Sequence, residues 1–133
     1  MAKIPPEGMS QVIPYLFYAD VPKAVAWLEK AFGFEKIVVV DSGPGRHHGE
    51  MRYGGGIIMM GTASDEFSSK TPRQANAHTG GVFVYLADVD AHCARAKTAG
   101  AEIVHDLSDQ EYGRTYWARD PDGHDWFFTT PPG

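Results

Sequence analysis

The chain states one structural plan twice. Tyr18-Ala19-Asp20-Val21 in the first half is matched by Leu86-Ala87-Asp88-Val89 in the second. Each is followed by a helix-like stretch, a glycine (Gly33, Gly100) and an apolar run (Ile37 to Val40; Ile103, Val104). Each half closes on a glycine-marked hairpin, Tyr53-Gly54-Gly55-Gly56 and Asp120-Pro121-Asp122-Gly123. A small unit that cannot bury its apolar face alone packs against its copy. The repeat therefore predicts one domain over 1–133, made of module one (about 11–61), a polar connector (62–79) and module two (about 80–130). It also directs the search for function to the groove where the modules meet.

Local signals fill in the modules. Residues 11–18 are β-branched and aromatic and predict a strand. Asp20 is placed to cap a helix over 21–32, with Pro22 in its first turn. Val21, Val25, Leu28 and Phe32 share one face of that helix. Strands follow over 34–41, 47–53 and 56–61. Module two repeats this with a strand over 80–87, a helix from Asp88 to Ala99 with Val89, Cys93 and Ala96 inward, and strands over 102–107, 113–119 and 124–130. Two βαβββ modules make an α+β protein whose strands curl into a half-open sheet, helices on the convex side and a central cleft on the other.

Composition narrows the partners. The net charge of -5 argues against nucleic acid. No apolar run approaches the roughly 20 residues of a membrane span, and no signal-peptide pattern opens the chain. A cytoplasmic protein with a small-molecule partner is expected. Cys93 is the single cysteine and is expected to be a small buried hydrophobe.

This pattern resembles the vicinal oxygen chelate superfamily, which includes glyoxalases, extradiol dioxygenases, fosfomycin-resistance enzymes and bleomycin-resistance proteins. The likeness is sharpest over Tyr112-Gly113-Arg114 and Ala118-Arg119-Asp120-Pro121-Asp122-Gly123-His124-Asp125-Trp126-Phe127-Phe128. It extends to Ile13-Pro14-Tyr15-Leu16 and Ala31-Phe32-Gly33-Phe34. The resemblance implies a homodimer. It also implies, for the metalloenzymes, metal ligands on the first and last strands of each module. The matching positions are Ile13, Met60 (or Met59), Val82 and Phe127, none of which suits a divalent cation. The expectation is therefore an apolar cleft floor, no metal and no cofactor.

Strand alternation predicts the walls. Trp117 shares the face of Phe127, with Thr115 and Arg119 beside it; by the repeat, Glu50 is the counterpart of Trp117, flanked by His48 and Arg52. Tyr15 stands next to Ile13. The candidate ligand-binding residues are thus Ile13, Tyr15, His48, Glu50, Arg52, Met60, Val82, Thr115, Trp117 and Phe127. Glu50 with His48 also suits proton transfer or half of a metal site, against the plainer alternative of a solvated strand face. Gly54-Gly55-Gly56 leads into a strand and so marks a hairpin, not a phosphate cradle. Binding of a cationic or aromatic small organic molecule without metal, in the manner of bleomycin-resistance-type sequestration, is the leading function. A glyoxalase-type metal-dependent lyase or dioxygenase with a site relocated to His48 and Glu50 is the rival, and a metal-free isomerase using Glu50 as base is a third reading.

Overall fold

The computed structural model describes all 133 residues. In module one, β1 (Tyr15–Tyr18) leads into α1 (Val21–Phe32), followed by β2 (Glu35–Gly43), β3 (Arg46–Tyr53) and β4 (Gly56–Thr62). The connector contains a 3-10 turn (Asp65–Phe67) and a single helical turn, α2 (Pro72–Ala75). Module two supplies β5 (Gly81–Tyr85), α3 (Val89–Thr98), β6 (Glu102–Gln110), β7 (Gly113–Arg119) and β8 (Asp125–Thr130). The two four-stranded sheets have matching orders, β1-β4-β3-β2 and β5-β8-β7-β6, with the first pair of each parallel and the rest antiparallel. These are the two βαβββ modules of an α+β fold.

Local chemistry sets the helix ends. The Asp20 carboxylate accepts from the Lys23 amide at 3.1 Å, and Asp88 does the same for Ala91. Gly33, at φ 77°, takes the left-handed turn that ends α1. Strand β1 is shorter than its apolar run predicts: Pro14 has no amide to donate, though its carbonyl still accepts from Met59 at 3.0 Å.

The modules share a single core of 19 buried residues drawn from both. Phe32 of α1 lies 4.7 Å from Phe128 and 5.5 Å from Trp126, ring centre to ring centre, and Phe34 lies 5.4 Å from Trp126. Helix α3 closes the C-terminal end of α1: the Arg95 guanidinium donates to the Glu29 and Lys30 carbonyls, both at 2.8 Å, a cation at the negative end of a helix dipole. His92 of α3 is buried in the same seam. Its Nε2 lies 2.8 Å from the Phe32 carbonyl and its Nδ1 2.7 Å from the Tyr116 hydroxyl. Because a carbonyl only accepts, Nε2 carries the hydrogen and Nδ1 accepts from Tyr116. Burial holds the His92 imidazole below its ordinary pKa and pushes the Tyr116 hydroxyl above its own.

A second fastening lies at the turn between β7 and β8. The buried Asp120 carboxylate accepts from the Tyr18 hydroxyl at 2.6 Å, the Trp126 indole at 3.0 Å, and the Asp122 and His124 amides at 3.1 and 3.0 Å. Burial pushes this carboxyl upward, against the pull of His124 and of these donors. Asp122 accepts from the Ala19 amide, and the His124 ring donates to the Phe17 carbonyl. The turn of module two is thereby tied to the end of β1 in module one.

Candidate functional site

Each sheet has one face under the helices and one open. On the open face of module one, register brings Tyr15 and Glu50 to either side of Met59, and His48 opposite Gly61. The three polar side chains form a chain: the Tyr15 hydroxyl lies 3.0 Å from His48 Nδ1, and His48 Nε2 lies 2.9 Å from a Glu50 oxygen. The His48 and Glu50 side chains keep only 25% and 20% of their exposure. Arg52, two residues further along β3, donates to the Gly8 carbonyl of the N-terminal arm at 2.9 Å. Burial and the Glu50 charge push the Tyr15 hydroxyl above its ordinary pKa. The contact between Tyr15 and His48 depends on Gly61, because a Cβ there would stand 2.7 Å from the Tyr15 oxygen.

The open face of module two is aromatic. Trp117 and Phe127 are directly opposite on β7 and β8, their rings 5.1 Å apart. Phe83 lies opposite Phe127 on β5 and packs at 5.0 Å from Tyr85 and 6.3 Å from Tyr112. Asp125, 5% exposed, holds this wall in place. One of its oxygens accepts from the Trp117 indole and from Arg119, each at 2.8 Å, and the other faces His78 of the connector at 3.2 Å. The Arg119 guanidinium in turn lies 5.7 Å from the centre of the Trp117 ring. A pocket of about 290 Å³ opens beside His105, Tyr112, Thr115, Trp117 and Phe127.

The structure brings Tyr15, His48, Glu50 and Arg52 onto one open face, and Thr115, Trp117 and Phe127 onto the other. Three predicted positions are corrected. Met60 is fully buried in the core under the helices, and Met59 takes the open-face position. Val82 pairs with Trp126, not Phe127, so it packs toward the core, although it still borders the seam between the modules. Ile13 precedes β1 and is half-buried outside the sheet. The single pocket expected between Trp117 and Glu50 is also divided. The cavity beside Trp117 and the one along the seam, about 410 Å³ and bordered by Tyr15, Phe17, Gly81 and the connector, reach neither His48 nor Glu50. A larger cavity, about 540 Å³, lies on the helix side near Trp27 and the Asp120-Pro121-Asp122 turn. Its polar groups already serve the fold: Asp20 caps α1, Asp122 accepts from Ala19, and Arg73 donates to the Pro121 carbonyl.

Residues missing from the sequence reading are Phe83, Asp125 and His78, while Met59 stood there as the alternative to Met60. His78 and Asp125 are 47 positions apart in sequence (125 − 78) and meet only through the fold. The donor set does not fit a metal centre. No three His, Cys, Asp or Glu side chains converge. His48 and Glu50 are hydrogen-bonded to one another, and both oxygens of Asp125 are engaged.

The chain belongs to the glyoxalase/bleomycin resistance protein/dioxygenase superfamily, whose family model matches residues 9–128. Within it, the uncharacterized protein Mb0911c of Mycobacterium bovis is 30% identical over 123 residues, covering 89% of this chain and 81% of that protein. Among solved structures, TioX from Micromonospora sp. ML1 superposes with a TM-score of 0.72 at 33% identity, over 92% of this chain and 99% of that one. The bleomycin-binding protein of bleomycin-producing Streptomyces verticillus, solved with copper(II)-bleomycin, gives 0.63 at 23% identity over 91% and 95%. The fosfomycin resistance protein FosX of Listeria monocytogenes, solved with Mn(II) and a dihydroxypropylphosphonic acid, gives 0.69 at 18% identity over 90% and 88%. The last two are likenesses of fold.

Proposed function

We propose that this protein binds a small organic molecule carrying an aromatic ring, on the open faces of its sheets and without a metal. The observation that carries the reading is the stack of exposed rings on module two. Phe83 and Tyr85 keep 47% and 61% of their exposure, a cost the fold has no packing reason to bear. Trp117, fixed by a buried carboxylate, adds a pre-oriented indole face for stacking, worth roughly 0.5–1.5 kcal/mol. Of the two ligand characters the sequence suggests, cationic and aromatic, the second is the better supported. Glu50 is engaged by His48, and Arg52 stands beside it with no carboxylate partner, so the polar wall presents no bare anion.

Open faces of this size, with Tyr15, Phe17, Val40, Phe83 and Tyr85 exposed, also support a homodimer in which a second copy completes each cleft. Calorimetric titration with flat aromatic compounds tests the binding reading, with sedimentation for the dimer. Saturable binding that Trp117→Ala weakens about tenfold is expected, that factor being about 1.4 kcal/mol of stacking and contact. Added Mn(II), Ni(II) or Zn(II) is expected to change neither binding nor thermal unfolding. A stoichiometric ion that binds and raises the unfolding temperature would overturn the metal-free reading.

A further inference from the structure

We propose that Tyr15, His48 and Glu50 form a proton relay that takes a ligand with an acidic aromatic hydroxyl and holds it as its anion. This rests on the ligand-binding reading above and names the class of ligand for the module-one face. The direction of the relay follows from hydrogen-bond chemistry. A carboxylate only accepts, so His48 Nε2 donates to Glu50 at 2.9 Å. With the imidazole neutral, as this direction of the relay requires, Nδ1 is the bare nitrogen and accepts from the Tyr15 hydroxyl at 3.0 Å. The Tyr15 oxygen is left with its lone pairs free, on a side chain 46% exposed on the open face.

A ligand hydroxyl that donates to that oxygen completes the chain. The ligand O–H bond breaks as its proton joins the Tyr15 oxygen, while the original Tyr15 proton moves to His48 Nδ1. The products are a phenolate ligand, an intact neutral tyrosine, and an imidazolium paired with the Glu50 carboxylate. No electron changes hands, and the total charge is unchanged. An aliphatic alcohol would hold its proton too tightly to give it up to an imidazole. An electron-poor phenol is matched in acidity, which is the condition for transfer through such a chain.

Three features of the surroundings fit this task. Arg52, two residues beyond Glu50 on the same face, is a cation with no carboxylate partner, its guanidinium donating to the Gly8 carbonyl. The cross-strand neighbours of Glu50 and His48 are Val38 and Val40 on one side and Met59 and Gly61 on the other, so no other charge faces the relay across the sheet. Tyr15 is laid across Gly61, the position where any side chain would collide with it. Its raised pKa keeps it protonated, so it passes a proton along and does not become the anion itself.

The test uses 4-nitrophenol, whose anion has its own visible absorbance band, and nitrobenzene, the same ring without the hydroxyl. At one pH unit below the ionisation of free 4-nitrophenol, the bound probe is expected to be mostly phenolate, several-fold above the free fraction of about one tenth. Tyr15→Phe and His48→Gln are expected to abolish that gain while keeping the wild-type thermal transition. A bound probe no more ionised than the free one would overturn the relay, as would a phenolate band that persists in both variants. Nitrobenzene binding alongside an un-ionised nitrophenol would sink the relay alone. Failure of both compounds to bind would sink the ligand-binding reading with it.

Discussion

The two modules follow one plan and close on hairpins at equivalent places, yet the hairpins do different work. In module one the turn from Tyr53 to Gly56 is built of glycine, and a Cβ at Gly55 would meet nothing within 4 Å. In module two the turn is built around Asp120, a carboxylate 1% exposed whose acceptor sites are filled by four donors from three segments. Both modules keep the packing of helix on sheet. Of the two hairpins, only that of module two helps to join the modules, alongside the seam between α1 and α3. The sharpest way to break this comparison is to remove both features. Asp120→Ala strands buried donors and is expected to cost roughly 3–5 kcal/mol, whereas Gly55→Ala should stay within about 0.5 kcal/mol. Urea unfolding of the pair measures both. Similar losses would mean that the asymmetry is not energetic.

The open faces diverge in the same manner, relay on one and rings on the other. Trp117→Ala tests whether the aromatic wall serves binding more than folding. Asp125 keeps Arg119 and His78 as partners when the indole is lost, so the stability cost is expected to be only about 1–2 kcal/mol, beside the tenfold loss of ligand. A stability loss as large as that of Asp120→Ala would place Trp117 in the core.

How far these faces were legible in the sequence depended on the alternation of each strand. Strand β3 runs Arg46-His47-His48-Gly49-Glu50-Met51-Arg52, and β7 runs Arg114-Thr115-Tyr116-Trp117-Ala118-Arg119. Charges and small residues punctuate both, and the placement of Glu50 opposite Val38 and of Trp117 opposite Phe127 follows the parity they suggest. Strand β4 is Ile57-Ile58-Met59-Met60, and β5 is Val82-Phe83-Val84-Tyr85. Both runs are apolar at every position, so a period of two leaves no trace, and one-residue errors put Met60 and Val82 on the wrong side. The paired fold, by contrast, was legible through the repeated aspartate caps and glycine exits, which are local. Contacts such as His78 with Asp125, or Tyr18 with Asp120, are set only by how the modules meet.

The helices offer a third contrast. Aligned on their caps, Asp20 and Asp88, Ala24 of α1 corresponds to His92 of α3. The alanine fills space. The histidine satisfies a carbonyl at the end of the other module's helix. Its native pKa lies below the ordinary 6.5, chiefly through burial, so the unfolded chain takes up a proton that the folded chain refuses. Stability from this group is therefore complete above about pH 6.5 and declines as the pH falls below it, until the folded form is protonated as well. Urea midpoints measured through this range should fall in the wild type and flatten in His92→Gln. An unchanged slope would show that His92 does not report the seam.

A small expected effect on stability is the most telling for the relay. Both modules place a glycine on an open face next to an aromatic ring: Gly61 under Tyr15, and Gly81 against Phe127. At Gly81 an added Cβ would also meet the Asp125 backbone carbonyl at 2.8 Å, an unyielding obstacle. At Gly61 the near atoms are the far end of the Tyr15 ring, which is free to swing outward. Gly61→Ala should thus cost less than about 1 kcal/mol, the scale of a surface substitution with one lost hydrogen bond, yet separate Tyr15 from His48. Nitrogen-detected NMR of the His48 ring reads the outcome directly, since losing the Tyr15 donor shifts Nδ1 while leaving the Nε2 bond to Glu50 in place. An Nδ1 resonance identical to wild type would mean that Tyr15 never held it, and the relay would lose its first link.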